Sequence, residues 1–227
     1  SNYLSNRTTE NRLGLYAQGD WLVLPSLEVS AGLRYDLDTF IAPILSPRGA
    51  IVYHLNSTQA FRLSSSLAYR PPTTNEVGLS ALNPITIPGS LPVEVAILGS
   101  SDVRPEQIAS YEVGYQGWWW EHRLRTRVTG FFNHISDLIA FRSTTNTPSN
   151  QVRPINGGLA DVYGGEVGLE LLVTSRLSGF ANYAYQEVGQ TSSGFSRQGF
   201  PRHKINAGLR VNWHPFNGEV LYHHVGA

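Results

Sequence analysis

Two histidine placements and one run of arginines are where this sequence could carry chemistry. His134 lies just ahead of Asp137, near the end of a predicted strand. Such a spacing could set an imidazole base against a carboxylate, as in a hydrolytic site. His223 and His224 are adjacent, and neighbours in a strand point to opposite faces, so they cannot chelate one metal together. Arg123, Arg125 and Arg127 alternate with other residues, which would align three guanidiniums on one strand face. There is no G-x-S-x-G, no H-E-x-x-H and no phosphate loop. Among 227 residues there is no Cys, which excludes a thiolate nucleophile, a disulfide framework and a Cys-ligated metal. The pair His134 and Asp137 reads as a polar pair at a turn, and the chain reads as a non-enzyme with no cofactor and no metal.

The charge arithmetic narrows the class further. The chain has 17 Lys+Arg against 17 Asp+Glu, without the basic excess of a nucleic-acid partner or an anionic-membrane anchor. Charged residues make up 15%, below the ~25% of ordinary soluble domains. Hydrophobic residues are 41% and aromatics 11%, with 5 Trp and 11 Tyr. Low charge and many aromatics without high hydrophobicity suit a chain whose apolar residues fall at every second position. No stretch approaches the ~18 consecutive apolar residues of a transmembrane helix. The chain starts at Ser1 with no visible signal peptide, and it reads as processed or cut from something longer.

The elements that must position these residues are strands. Leu27, Val29, Ala31, Leu33, Tyr35 and Leu37 alternate with Glu28, Ser30, Gly32, Arg34, Asp36 and Asp38, which is the period-two signal. Ile205 to Trp213 repeats it against Lys204, Asn206, Gly208, Arg210 and Asn212. The reading is all-β: an antiparallel meander of about ten long strands. They are expected at 12–22, 26–38, 47–55, 59–69, 108–119, 122–141, 154–173, 176–187, 203–214 and 217–226. Short linkers alternate strictly with longer ones at 39–46, 70–107, 142–153 and 188–202. A meander then has all its tight turns at one end and all its long loops at the other, as a transmembrane outer-membrane β-barrel does. Trp21, Trp118, Trp119, Trp120 and Trp213 sit near predicted tight turns, as one aromatic girdle would. Tyr35, Tyr69, Tyr183 and Tyr185 could form the other. In lipid a spanning sheet must close, so its apolar face looks out and its polar face lines a lumen. Three lipid-facing arginines would cost ~2–4 kcal/mol each near the midplane, so Arg123, Arg125 and Arg127 are expected inward, at the tight-turn end.

Several segments resemble the barrel of the TonB-dependent receptors. Tyr69-Arg70-Pro71-Pro72-Thr73-Thr74-Asn75-Glu76 resembles that family's Y-R-x-P-x-x-x-E segment. Val103-Arg104-Pro105-Glu106, followed by Tyr111-Glu112-Val113-Gly114-Tyr115, is similar to its L-x-P-E…Y-E-x-G-Y signature. Phe131 to Ile139 resembles F-Y-x-x-I-x-D-L-I. Asn156-Gly157-Gly158 leading to Tyr163-Gly164-Gly165-Glu166 is similar to N-x-G-x-A…Y-G-x-E, and Pro201-Arg202-His203-Lys204 to P-x-H-K. Five matches in the family's order, across residues 69–204, make a specific signal.

The resemblance implies an outer-membrane receptor and transporter for a scarce solute, most often a ferric siderophore. Its partners would be outer-membrane lipid, an extracellular small molecule such as a metal chelate, and TonB acting through a plug domain. No plug and no TonB-engaging box is recognisable here. The chain ends Val225-Gly226-Ala227 where such barrels finish on an aromatic residue, so residues 1–227 read as an internal barrel segment. The alternative is a small stand-alone outer-membrane barrel acting as a pore or hydrolase. Glu112 and Glu166 fall on the polar parity, where arginines of the wall or of an enclosed domain could meet them. Arg123, Arg125 and Arg127 are expected to serve the plug. The 70–107 loop, carrying Glu94, Asp102, Arg104 and Glu106, is the candidate for ligand contact because it is the longest and lies at the outer end. The remaining motif residues read as fixing barrel folding and register.

Overall fold

A computed structural model describes residues 9–85, 93–144, 150–191 and 201–226. Ten strands run as one antiparallel meander: β1 (Arg12–Leu24), β2 (Leu27–Asp38), β3 (Ile44–Asn56), β4 (Gln59–Arg70), β7 (Glu106–Trp119), β8 (Leu124–Thr144), β9 (Asn150–Thr174), β10 (Leu177–Thr191), β11 (His203–Trp213) and β12 (Phe216–Gly226). Between β4 and β7 lie a short helix, α1 (Thr74–Gly78), and two more strands, β5 (Ser80–Ile85) and β6 (Val93–Leu98). The order of hydrogen-bonded neighbours is β1-β2-β3-β4-β7-β8-β9-β10-β11-β12, with β5 and β6 off this path. Short linkers and long connections alternate as expected. The 70–107 segment differs from expectation: it is no irregular loop but a helix and a hairpin.

One parity runs through the sheet. Across β1 to β4 the register places Trp21, Val29, Ile51 and Leu63 side by side, continuing to Val113 on β7. On the other parity Ser30, Ala50, Ser64 and Glu112 form the matching row. Leu33 is 43% exposed and Leu209 48%, as lipid-facing residues of an unlipidated wall must be. The cavities along the sheet are lined by the polar side chains. Gln18, Ser30, Arg48, Arg62, Ser64 and Glu112 surround one of about 420 Å³. Arg127, Thr129, Glu166, Asn182 and Lys204 surround another of about 490 Å³. The concave face is therefore the polar one, the inverse of a soluble fold.

Among the described residues there is almost no conventional core. The accessible surface is 15573 Å², against about 10,000 Å² expected for a compact monomer of this mass. A single curved layer exposes both faces. Among the described residues β1 and β12 are the two free edges, exposed along nearly their whole length. Edges this long must be paired or covered before the sheet can sit in lipid. The few buried side chains gather at the long-connection end: Ile44, Ala96, Val103, Ala160, Pro72 and Pro154.

The girdle expectation needs correcting. Trp21, Trp119 and Trp213 lie on the apolar parity, each paired with apolar or aromatic neighbours. Trp118 faces Arg125 on the lumen parity, its ring 5.2 Å below the guanidinium, and Trp120 is in the turn. Nearness to a tight turn does not fix the face; strand parity does.

The parity makes a direct prediction. Val113 is 58% exposed near the middle of β7, so Val113→Arg should destabilise the intact barrel by ~2–4 kcal/mol. Ser66→Arg, on the lumen wall, should change stability by less than about 1 kcal/mol. Denaturant unfolding in lipid vesicles measures both.

Candidate functional site

Four of the motif segments meet at the long-connection end of the sheet, through Arg70, Glu76, Glu106, Asp137 and Asn156. Pro71 and Pro72 remove two ladder donors and end β4, and Thr73 then caps α1. Its hydroxyl accepts from the Glu76 amide at 3.3 Å, and the Glu76 carboxylate accepts from the Thr73 amide at 2.6 Å. This is a reciprocal capping box. The Arg70 guanidinium reaches Glu76 at 3.2 Å and Glu106 at 2.5 Å, so one cation joins the end of β4, the helix and the start of β7. The other oxygen of Glu106 accepts from the Ile139 amide at 2.8 Å. Burial works against ionisation of Glu76, but hydrogen bonds from Arg70 and Thr73 outweigh it and hold its carboxyl below the ordinary carboxylate value.

A second joint sits beside the first. Asp137 adopts a left-handed φ of 54°, at the register shift where β8 leaves its regular ladder with β9. A bulge there re-aims the strand. Arg104 pairs with the Asp137 carboxylate at 2.7 Å. Asn156 on β9 accepts from the Arg104 amide at 2.6 Å and donates to the Arg104 and Asp137 carbonyls at 2.8 and 2.7 Å. One side-chain amide thus uses its acceptor and both donors on backbone. Gly158 is required close by, since a Cβ there would overlap the Leu138 Cβ and lie 3.1 Å from its carbonyl oxygen.

The return limb of the long connection is sewn to α1. Ser100 donates to the Glu76 carbonyl at 2.9 Å and Gly99 to that of Leu79 at 2.5 Å. β6 then pairs with β9 in parallel, Val95 opposite Asn150, Ala96 opposite Gln151 and Ile97 opposite Val152. Here the sequence reading missed a hairpin that another connection completes.

At the tight-turn end the arginine ladder is shorter than expected. β8 starts at Leu124; Arg123 belongs to the turn, where Trp120, Glu121 and His122 all have positive φ. Arg125 and Arg127 face the lumen and share the carboxylate of Glu170 on β9, at 3.8 Å for Arg125 and closer for Arg127. Arg125 also donates to Gln116 at 3.0 Å. The wall carboxylate that meets them is Glu170, not Glu112, whose carboxylate accepts from Ser64 at 3.4 Å.

The other expected residues fall as follows. Glu166 and Lys204 line the same lumen cavity as Arg127. Tyr111 and Tyr163 are on the lipid-facing parity and about half exposed. His203 lies on that parity too, 2.8 Å from the Tyr183 hydroxyl. A Cβ at Gly114 would make only ordinary contacts, its nearest neighbours lying 3.8 Å away, whereas one at Gly164 would overlap backbone. Pro105 and Asp102 line a rim cavity of about 490 Å³ with Phe40, Ile44 and Tyr69. Glu94 is in β6, and its side chain lies outside the described residues.

The pair His134 and Asp137 is not brought together. His134 Nδ1 lies 2.7 Å from Asp161 across the β8–β9 ladder, while Asp137 is held by Arg104. The pair His134–Asp161 sits on the lipid-facing parity, away from the lumen. His223 and His224 also part as expected, His223 toward Asn206 and His224 stacked on Tyr222. Among the described residues no cluster of His, Cys, Asp and Glu could hold a metal.

Comparison with known proteins gives one family. The model for TonB dependent receptor-like β-barrels matches residues 1–227. Among solved structures, the siderophore receptor PirA from Acinetobacter baumannii superposes with a TM-score of 0.73 at 21% identity, covering 89% of this chain and 31% of that one. A mutant of the ferric enterobactin receptor PfeA from Pseudomonas aeruginosa, in complex with enterobactin, gives 0.71 at 18%, covering 89% and 30%. The FrpB iron transporter from Neisseria meningitidis gives 0.67 at 16%, covering 94% and 32%. At these identities the likeness is one of fold, and the chain spans about a third of each neighbour's length. No curated protein matches the sequence.

Proposed function

This chain belongs to the family of TonB-dependent receptor-like β-barrels, and from that premise we propose that it forms part of the wall of an outer-membrane receptor for a scarce solute. Ferric siderophores are the favoured cargo, since the neighbours of like fold include receptors named for siderophores and an iron transporter. The observation that carries the reading is the asymmetry of the wall. A polar concave face runs from tight turns at one end to a folded, hydrogen-bonded rim at the other. Solute meets the rim first. The rim segment 79–100, between α1 and the Arg104 joint, is the part of this chain proposed to touch it. Glu94 within it and Asp102 just beyond it remain the candidate contacts, while Arg104 is occupied by Asp137.

The tight-turn end is assigned to the plug. Glu170 neutralises part of the Arg125 and Arg127 charge, leaving an excess cation on this stretch of wall. Arg123 in the adjoining turn and the ring of Trp118 add donors and an apolar platform. Carboxylates or carbonyls of a plug domain would be accepted there. Glu112 and Glu166, with no arginine within ion-pair distance among the described residues, are left to meet cations of the same domain. TonB, pulling on the plug from the periplasm, would then open a path along this wall.

The test is removal of residues 79–100 from the full-length receptor. Equilibrium binding of a panel of ferric siderophores should weaken at least tenfold for the cognate chelate, with the barrel still folded. Unchanged uptake across the panel would rule the rim segment out as a ligand contact.

A further inference from the structure

We infer that Asn156 is a positioning residue, and that it makes the 71–105 connection and the outer part of the β8–β9 hairpin turn as a single lobe. The inference rests on the reading above only in placing this lobe outside the membrane. Long connections of a barrel are ordinarily its most independent parts. Here three separate joints tie two of them together. The first is the parallel pairing of Val95–Ile97 with Asn150–Val152. The second is the hydrogen bond from the Ile139 amide to Glu106, the acid already held by Arg70. The third is the Asn156 side chain, which bonds both backbone groups of Arg104 and the carbonyl of Asp137.

Burial agrees with the joints. Pro72, Ala96, Val103, Pro154 and Ala160, nearly all the buried side chains of the described residues, lie on the segments these joints connect. A lobe with its own small core resists independent motion, because parting the two connections would expose that core and orphan the amides of Arg104 and Ile139. Asparagine is the side chain that fits. Aspartate has the same length but no donor, so it would leave the Arg104 and Asp137 carbonyls unpaired. Glutamine would carry its amide one methylene further out, off the backbone groups that Asn156 bonds at 2.6–2.8 Å. Asn156 touches no surface open to the lumen cavities described above, so its role is to hold the segment that does the touching.

The test uses the full-length receptor in lipid vesicles, without ligand. This stretch contains no native cysteine, so spin labels can be placed at Asn75→Cys in α1 and Arg142→Cys on β8, both exposed. Pulsed electron resonance should give one narrow distance distribution, and Asn156→Asp should at least double its width while the lumen-wall strands keep their hydrogen-exchange protection. A role confined to local stability would lower the melting temperature and leave the width unchanged. A second measurement covers the case in which Asn156→Asp fails to fold. With Asn156 in place, Ala96→Cys and Gln151→Cys should form a disulfide under mild oxidation, whereas Ala96→Cys with Arg153→Cys should not. A broad or two-peaked distribution in the receptor with Asn156 intact would overturn the inference. So would an unchanged width in Asn156→Asp, or failure of the 96–151 disulfide.

Discussion

Replacing Gly164 by alanine should abolish assembly of the receptor. A Cβ at this position would overlap the backbone carbonyl oxygen of Tyr185 on β10 and lie 2.9 Å from both the Gln186 Cα and the Phe131 ring. Two of these three obstacles are strand backbone, which cannot rotate away as a flexible side chain would. The β9–β10 ladder must open by about an ångström, or its register must slip, and a slip of one residue sends every side chain to the opposite face. In a membrane wall such a slip would place Glu166 and Glu170 in lipid. The expected cost is on the order of 4 kcal/mol or more, in the range reserved for overpacking and broken register. The measurement is the yield of folded, heat-modifiable protein in the outer membrane. Gly49→Ala is the control, since its nearest neighbour is the Ser30 carbonyl at 3.7 Å, and it should fold normally. Normal assembly of Gly164→Ala would mean that the two strands do not pack as described.

Glu106→Ala should loosen the outer rim by about 2–4 kcal/mol. The substitution removes one carboxylate that serves two partners, the Arg70 guanidinium at 2.5 Å and the Ile139 amide at 2.8 Å. Its side chain is 14% exposed, against 46% for Arg70. The ion pair is therefore partly screened and contributes the smaller share. The larger share is the stranded amide of Ile139, on the outer side of the Asp137 bulge. Glu106→Gln keeps an acceptor for that amide and should recover at least half the loss. Hydrogen exchange at Ile139 measures both variants directly. Equal protection in Glu106→Ala and the unsubstituted receptor would contradict the geometry of the latch.

The wall was legible in the sequence and the rim only in pieces. Alternation located all ten meander strands, because a sheet with lipid on one face and a polar lumen on the other must alternate along its whole length. The motif segments were also legible, in order and spacing, but not their convergence. Arg70 and Glu76 are near neighbours in sequence, but Glu106, Asp137 and Asn156 come from three distant stretches, and only the fold brings them to the same end of the sheet. α1 did leave a signal, the Thr73…Glu76 capping-box spacing, in a stretch read as loop. β5 and β6 left less: Pro84 demotes β5 as a strand, and β6 completes its pairing in parallel with a distant segment. Trp118 shares its parity with Glu112 and Gly114, so its lumen-side position could have been read from the strand rather than from the nearby turn. The displacement of Arg123 could not, since three consecutive non-glycine residues of positive φ leave no pattern in composition. His134 found Asp161 instead of Asp137 because the bulge turns Asp137 toward Arg104.

The central claim is that this wall belongs to a TonB-driven uptake receptor. Its most direct test is accumulation of a radiolabelled ferric siderophore by cells whose single siderophore receptor is the full-length protein, with and without functional TonB. With a cognate chelate, both strains should bind the label at the surface with equal affinity. Only the strain with TonB should accumulate it, and dissipating the proton gradient should abolish the difference. Equal accumulation in the two strains would contradict the account, and would mark the parent barrel as a passive pore.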